Sequence, residues 1–147
     1  MVCGLEERNT AIRQFENYVG ILLGYQPEAC DQRGICGIQN VVEADGSVYP
    51  CDFYMLDEYR LGNFNANQME EINAKRKEIG FIERSLQLKE SCKSCPYFTI
   101  CRGGCQRNRD YDQVSGMYEN YFCKSYEMFF DACLPKMKEM AETLKRR

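Results

Sequence analysis

Cys92-Lys-Ser-Cys95-Pro-Tyr-Phe-Thr-Ile-Cys101-Arg-Gly-Gly-Cys105 is the stretch on which the reading of this chain turns, and Cys123 completes it. Its thiols follow the spacings CxxC, Cx5C and CxxxC within fourteen residues. The short turn of a CxxC lets both Cβ vectors converge on one metal centre. Pro96 fixes φ directly after that turn. Gly103 and Gly104 can take positive φ, so the backbone can close around an inorganic core and aim N–H groups at sulfur. An apolar core needs none of this, and the stretch reads as a metal or metal–sulfur site.

Working outward, the chain has 147 residues, ten of them cysteine. That length fits one domain with a helical appendage. A disulfide scaffold competes, because the cysteine count is even and the spacing close. Against it, Met1-Val-Cys-Gly-Leu-Glu-Glu-Arg has no basic start followed by an apolar run, so no secretory signal is read there. Nor is there an apolar stretch long enough to span a membrane. A cytoplasmic location is therefore expected, and with it reduced thiols available for ligation. The absence of histidine removes Cys–His zinc fingers, Ser-His-Asp triads and His-assisted cysteine nucleophiles. A formal charge of −3 offers no basic field, so nucleic acid is not an expected partner.

Upstream, Ile12, Phe15, Val19, Leu22 and Leu23 recur at helical spacing, with Gly24 and Pro27 closing the segment. Cys3 stands outside every cysteine grouping and is given no ligand role. Cys30 and Cys36 flank a short loop. Two β-like runs, 37–44 and 47–51, then meet at Asp45-Gly46, a signature of a hairpin with a type I′ turn. Such a hairpin returns Cys36 and Cys51 to the same end, and Pro50 marks the end of its second strand. Phe53-Tyr-Met-Leu is expected beside the cysteines. Asn67, with Glu70 three residues on, predicts a helix running to about Gly80, whose Lys75, Arg76, Lys77 and Glu78 form a solvated face. Residues 81–86 extend the helical pattern by a turn or two.

From about Tyr118 the pattern is helical again. Phe122, Tyr126, Phe129, Cys133, Met137, Met140 and Leu144 make one apolar stripe, which Pro135 is expected to kink or interrupt. Cys133 lies on the stripe and reads as a small buried hydrophobe. Cys123 sits one position off it, at the helix start, as a terminal ligand for the preceding loop. Eight cysteines then remain: Cys30, Cys36, Cys51, Cys92, Cys95, Cys101, Cys105 and Cys123. Without histidine they make two four-thiolate sites, which two zinc ions or two iron–sulfur clusters both satisfy. Zinc ribbons pair two CxxC knuckles, and here only one exists. The wider spacings around Gly-Gly suit a larger cluster.

Gly46-Ser-Val-Tyr-Pro-Cys51, the CxxC-x5-CxxxC run and Cys123 together resemble the SPASM domain. That domain is the C-terminal extension of many radical S-adenosylmethionine enzymes, which modify peptides and proteins. Cys30, Cys36 and the Cys51-Asp52-Phe-Tyr run resemble those of the anaerobic sulfatase-maturating enzymes. The resemblance covers roughly residues 15–125. It implies two 4Fe–4S clusters whose ligands interleave along the chain: Cys30, Cys36, Cys51 and Cys105 for one, and Cys92, Cys95, Cys101 and Cys123 for the other. Local reading alone would instead group Cys105 with Cys92, Cys95 and Cys101. The resemblance also implies that Asp52 is the base that deprotonates a substrate Cys or Ser on its way to Cα-formylglycine. From sequence alone, an aspartate after a ligand cysteine reads as a loop residue bonded to backbone N–H groups.

The CxxxCxxC run that holds a catalytic cluster for S-adenosylmethionine is missing, since Asn108 stands where the third cysteine would follow Cys101 and Cys105. There is also no series of strands and helices long enough for the barrel that carries it. The expected fold is α+β: a small, irregular, cysteine-rich domain with a β-hairpin, loops around two clusters and flanking helices. Residues 1–29 are expected as a helical lead-in from a missing radical S-adenosylmethionine domain, 30–123 as the auxiliary cluster domain and 124–147 as a C-terminal helix. The expected partners are that barrel domain and a substrate protein or peptide, such as a sulfatase. A free-standing iron–sulfur electron-transfer protein and a two-zinc structural or interaction module are the alternatives.

Overall fold

The computed structural model describes residues 11–146. Cys3 lies outside the described residues. The architecture is α+β, with short helices and two small antiparallel sheets arranged around the cysteine loops. Helix α1, Arg13–Leu22, opens it and packs along the long final helix α7, Cys123–Lys145. Tyr18 and Val19 of α1 meet Ile100, Phe130, Met137 and Ala141 in the larger of two buried clusters. The expected apolar stripes are only half right. Ile12, Phe15, Met140 and Leu144 stay exposed, while Tyr18, Phe130 and Ala141, which were not in the stripes, are buried. The buried face lies where α1 and α7 meet, rotated from each helix's own apolar line.

Helix α7 continues through Pro135, contrary to the expected interruption. Proline removes the N–H that would bond the Asp131 carbonyl and costs about 3 kcal/mol in a helix interior. Burial of side chains such as Phe130 and Met137, at about 1.5–3 kcal/mol each, outweighs that cost. Cys133 is a free thiol packed, partly buried, against this core, as its place on the stripe predicts.

Between these helices, α2 (Cys30–Arg33) leads to a three-stranded sheet of β1 (Val41–Val42), β2 (Ser47–Tyr49) and β3 (Gly62–Asn63), in that order. Val41 pairs with Tyr49 and Val42 with Val48, so the predicted hairpin forms. Its turn is not type I′. Only Gly46 takes positive φ (84°), its N–H bonds the Glu43 carbonyl, and the Glu43 N–H bonds Ser47 O at 2.9 Å. Asp45 instead turns its carboxylate back onto the Ser47 N–H at 2.9 Å and the Ser47 hydroxyl at 2.8 Å. Asp45 does not take positive φ, and the left-handed step falls to glycine alone. Strand β3 had no signal in the sequence, being two residues long.

Helix α3, Met69–Glu78, begins one residue later than expected: Gln68 is the N-cap, and its N–H bonds the Glu71 carboxylate at 2.8 Å. Asn67 is occupied elsewhere, its Oδ1 accepting the Asn63 N–H at 3.0 Å. Arg76 corrects the expected solvated face, being only 3% exposed with Nη2 on Asn40 Oδ1. Ile72 on the same helix joins Val48 and Leu61 in the second buried cluster. After α4 (Phe81–Arg84), α5 (Glu90–Lys93) and α6 (Phe98–Cys101) comes a second hairpin, whose last strand runs through Tyr118, where helix was expected to begin. Strands β4 (Arg109–Asp112) and β5 (Met117–Asn120) pair Tyr111 with Tyr118. Ser115-Gly116 lie in the turn between them, and β5 occupies the residues up to Asn120, so α7 starts only at Cys123.

Candidate functional site

The described cysteines are all free thiols. Two cavities gather eight of them. The first, of about 110 Å³, is lined by Cys92, Cys95, Cys101 and Cys123 together with Gly103 and Glu119. The second, an open cleft of about 860 Å³, is lined by Cys30, Cys36, Cys51 and Cys105, with Asp52 and Tyr54 on its wall. Cys105 therefore parts from its sequence neighbours: it lines the cleft and not the small cavity of Cys92, Cys95 and Cys101.

Each thiol is placed by a short element. Cys30 opens α2, while Cys36 hangs after it with its N–H on Ser85 Oγ at 3.0 Å. Cys51 follows the end of β2, so the hairpin returns it to the wall that Cys36 occupies. Cys92 lies in α5, Cys101 ends α6, and Cys123 begins α7. The segment before Cys92 is held against β5: Lys89 N–H bonds Tyr118 O, and its Nζ pairs with Glu119 at 2.6 Å and Asp112 at 3.2 Å. Gly103-Gly104 separates Cys101 of the small cavity from Cys105 of the cleft. Asn120 Nδ2 bonds the Gly103 carbonyl at 3.0 Å and fixes that crossing.

Burial pushes the Cys36, Cys92, Cys101, Cys105 and Cys123 thiols above their ordinary value, with neighbouring thiols adding to the rise for each. Cys51 is pushed up to about 11, first by burial and then through the adjacent Asp52. Crowded, partly buried thiols resist losing their protons in water but suit a positive inorganic core, which replaces those protons. Among the described residues, no three Cys, Asp or Glu side chains draw close enough to hold a single ion. One zinc would bring its thiolates within about 4 Å of one another, given a Zn–S bond near 2.3 Å. Four thiols lining each cavity, with no histidine, are a donor set that an iron–sulfur cluster takes.

Asp52 is exposed at the cleft, where Oδ1 accepts the Phe53 N–H at 3.1 Å and the Cys51 thiol at 3.2 Å. The backbone bond that its bland reading foresaw is present, and so is its place on the cysteine-lined wall. Of the Phe53–Leu56 run, Phe53 and Tyr54 line the cleft, while Met55 and Leu56 are exposed. Three polar residues about the thiols went unread in the sequence. Gln106 Nε2 donates to Cys36 Sγ at 3.0 Å, Asn120 holds the glycine crossing, and buried Arg109 stands behind it. Gln106 directly follows a cysteine, a position that could have drawn notice. Nothing marked the other two.

The profile of the SPASM family, an iron–sulfur cluster-binding domain, matches residues 35–96. A cysteine-type anaerobic sulfatase-maturating enzyme of Clostridium novyi (strain NT) is 39% identical over 143 residues, covering 97% of this chain and 38% of the relative. A serine-type enzyme of Bacteroides thetaiotaomicron is 32% identical over 90% of this chain and 33% of its own length. The solved structure of native anSMEcpe with bound AdoMet and Cp18Cys peptide superposes with a TM-score of 0.80 at 43% identity, over 92% of this chain and 37% of that one. The chain thus spans little more than a third of the length of the relatives it matches. Cysteine pattern, fold and these likenesses agree: residues 35–96 match a SPASM iron–sulfur cluster-binding domain, and nearly the whole chain is similar to about a third of an anaerobic sulfatase-maturating enzyme.

Proposed function

We propose that this chain is the auxiliary-cluster domain of a radical S-adenosylmethionine enzyme that oxidises a Cys or Ser of a sulfatase to formylglycine. It would hold two 4Fe–4S clusters, one on Cys30, Cys36, Cys51 and Cys105 and one on Cys92, Cys95, Cys101 and Cys123. The observation that carries this reading is the sorting of eight free thiols into two separate cavities, four to each. When bound, clusters ligated by four cysteines supply single-electron transfer or structural support, having no open iron for substrate.

Asp52 is assigned the proton. It stands exposed on the cleft wall, and its bond to Phe53 N–H holds the carboxylate in place to accept the thiol or hydroxyl proton of the substrate residue. The barrel domain that handles S-adenosylmethionine is the proposed partner, and residues 1–29, 30–123 and 124–147 keep the roles of lead-in, cluster domain and closing helix. Free thiols in such number fit a reducing compartment, the cytoplasm.

Anaerobic reconstitution followed by iron, sulfide and zinc analysis tests the reading. About eight irons and eight sulfides per chain are expected from two four-iron centres. Two zinc ions and no sulfide would sink it and restore the zinc module. With the chain joined to its barrel domain, Asp52→Ala should abolish formylglycine formation on a sulfatase-derived peptide while leaving the iron content unchanged. Full turnover by that variant would remove Asp52 from the chemistry.

A further inference from the structure

Arg109 begins β4, four residues after Cys105, and is buried. Each nitrogen of its guanidinium is engaged, yet only by a backbone carbonyl: Nε on Gly103 O at 3.0 Å, Nη1 on Ser85 O at 2.6 Å, and Nη2 on Gly104 O at 2.7 Å. Among the described residues it forms no ion pair with a carboxylate. A buried guanidinium without a counter-charge is costly, so its charge calls for a partner nearby.

The three carbonyls say where that partner lies. Gly103 lines the small cavity, Gly104 connects it to Cys105 in the cleft, and the Ser85 hydroxyl holds the N–H of Cys36, also in the cleft. The guanidinium therefore stands in the partition between the two cavities. Burial pulls its pKa below the ordinary arginine value, whereas the thiolates of Cys36 and Cys105 on one side, and Cys92 and Cys101 on the other, push it back up. Two thiols of each quartet thus feel this one charge.

We infer that Arg109 is the counter-charge shared by both thiol quartets, raising the reduction potentials of the two bound centres together. The inference rests on the two-cluster reading above. Four thiolates outweigh the charge of an iron–sulfur core, and reduction adds one further electron with no bond made or broken. A fixed cation in a low-dielectric partition favours that added electron at either centre. Arg109 is a positioning residue in this sense: it touches carbonyls of the partition and acts on the clusters through its field.

The test reconstitutes the wild-type chain, Arg109→Lys and Arg109→Gln with iron and sulfide, measures both elements, and titrates each centre with dithionite under EPR. In Arg109→Gln, the reduced-to-oxidised ratio of both centres at fixed potential should fall about tenfold, equal to about 59 mV for a one-electron couple. In Arg109→Lys, both potentials should stay near wild type. Should the glutamine variant fail to load iron while the lysine variant loads, cluster retention follows the charge, and the inference is again supported. Unchanged potentials in Arg109→Gln, a shift confined to one centre, or loss of iron from the lysine variant would overturn it in favour of a purely structural tie. A wild-type chain that binds no iron and sulfide is a different result, ending the two-cluster reading itself and this inference with it.

Discussion

Cys105 shows how little of a ligand's allegiance is local. It follows Cys101 by four residues, but the Gly103-Gly104 crossing carries it through the partition into the cleft with Cys30, Cys36 and Cys51. Cys51→Ser and Cys105→Ser should therefore each abolish the same EPR signal and leave about four irons. Cys101→Ser should spare that signal and remove the other. Variants of Cys51 and Cys105 that lose different signals would refute the sorting. Gly104 makes the crossing possible. At φ +61°, a Cβ there would lie 2.6 Å from Asn120 Nδ2, the group that pins the Gly103 carbonyl. Gly104→Ala should cost about 1–3 kcal/mol, read as a lower melting temperature of the reconstituted chain and weaker iron retention.

Helices α1 and α7 illustrate packing overriding propensity. An isolated α7 would break at Pro135, but the face that carries Phe130, Met137 and Ala141 is held against Tyr18 and Val19 of α1. Pro135→Ala restores the bond to the Asp131 carbonyl without touching this face, and should stabilise the chain by about 1–3 kcal/mol. Chemical denaturation followed by far-ultraviolet circular dichroism measures it, and an unchanged midpoint would mean the helix already compensates at that turn. The two hairpins work differently. The first buries Val48 and Tyr49 and returns Cys51 toward Cys36; β4–β5 anchors the segment before Cys92 through Lys89. Both help to place thiols.

At the scale of the whole molecule, apolar burial sits at two poles. One cluster joins α1 and α7, and a smaller one of Val48, Leu61 and Ile72 lies under the first sheet. Ile100 ties the 92–105 loop to the first cluster, but residues 30–36 and 92–95 belong to neither, so in the proposed reading ligation is what ties them in. Stripping iron with a chelator under air should expose backbone amides of residues 30–36 and 92–95 to hydrogen exchange first, while the α1–α7 contact survives longest. Uniform loss of protection along the chain would instead make the fold a single cooperative unit dependent on its clusters.

Much of this was legible beforehand, because metal-binding thiols and turn residues leave local signatures. The CxxC run, the Asp45-Gly46 turn and the helical spacing of Phe122 to Leu144 are short-range features, and they announced a cluster-binding α+β chain with a hairpin and end helices. The division of the thiols into quartets was carried only by resemblance, and the cavities supply its geometry. Other features had no local trace at all: the burial of Arg76, the persistence of α7 through Pro135, and the place of Arg109 between the two cavities. The physical reason is one of range. Spacing records which side chains a single turn or strand can bring together, whereas burial and the sorting of eight sulfurs depend on which distant segments share a wall. Only the folded chain decides that.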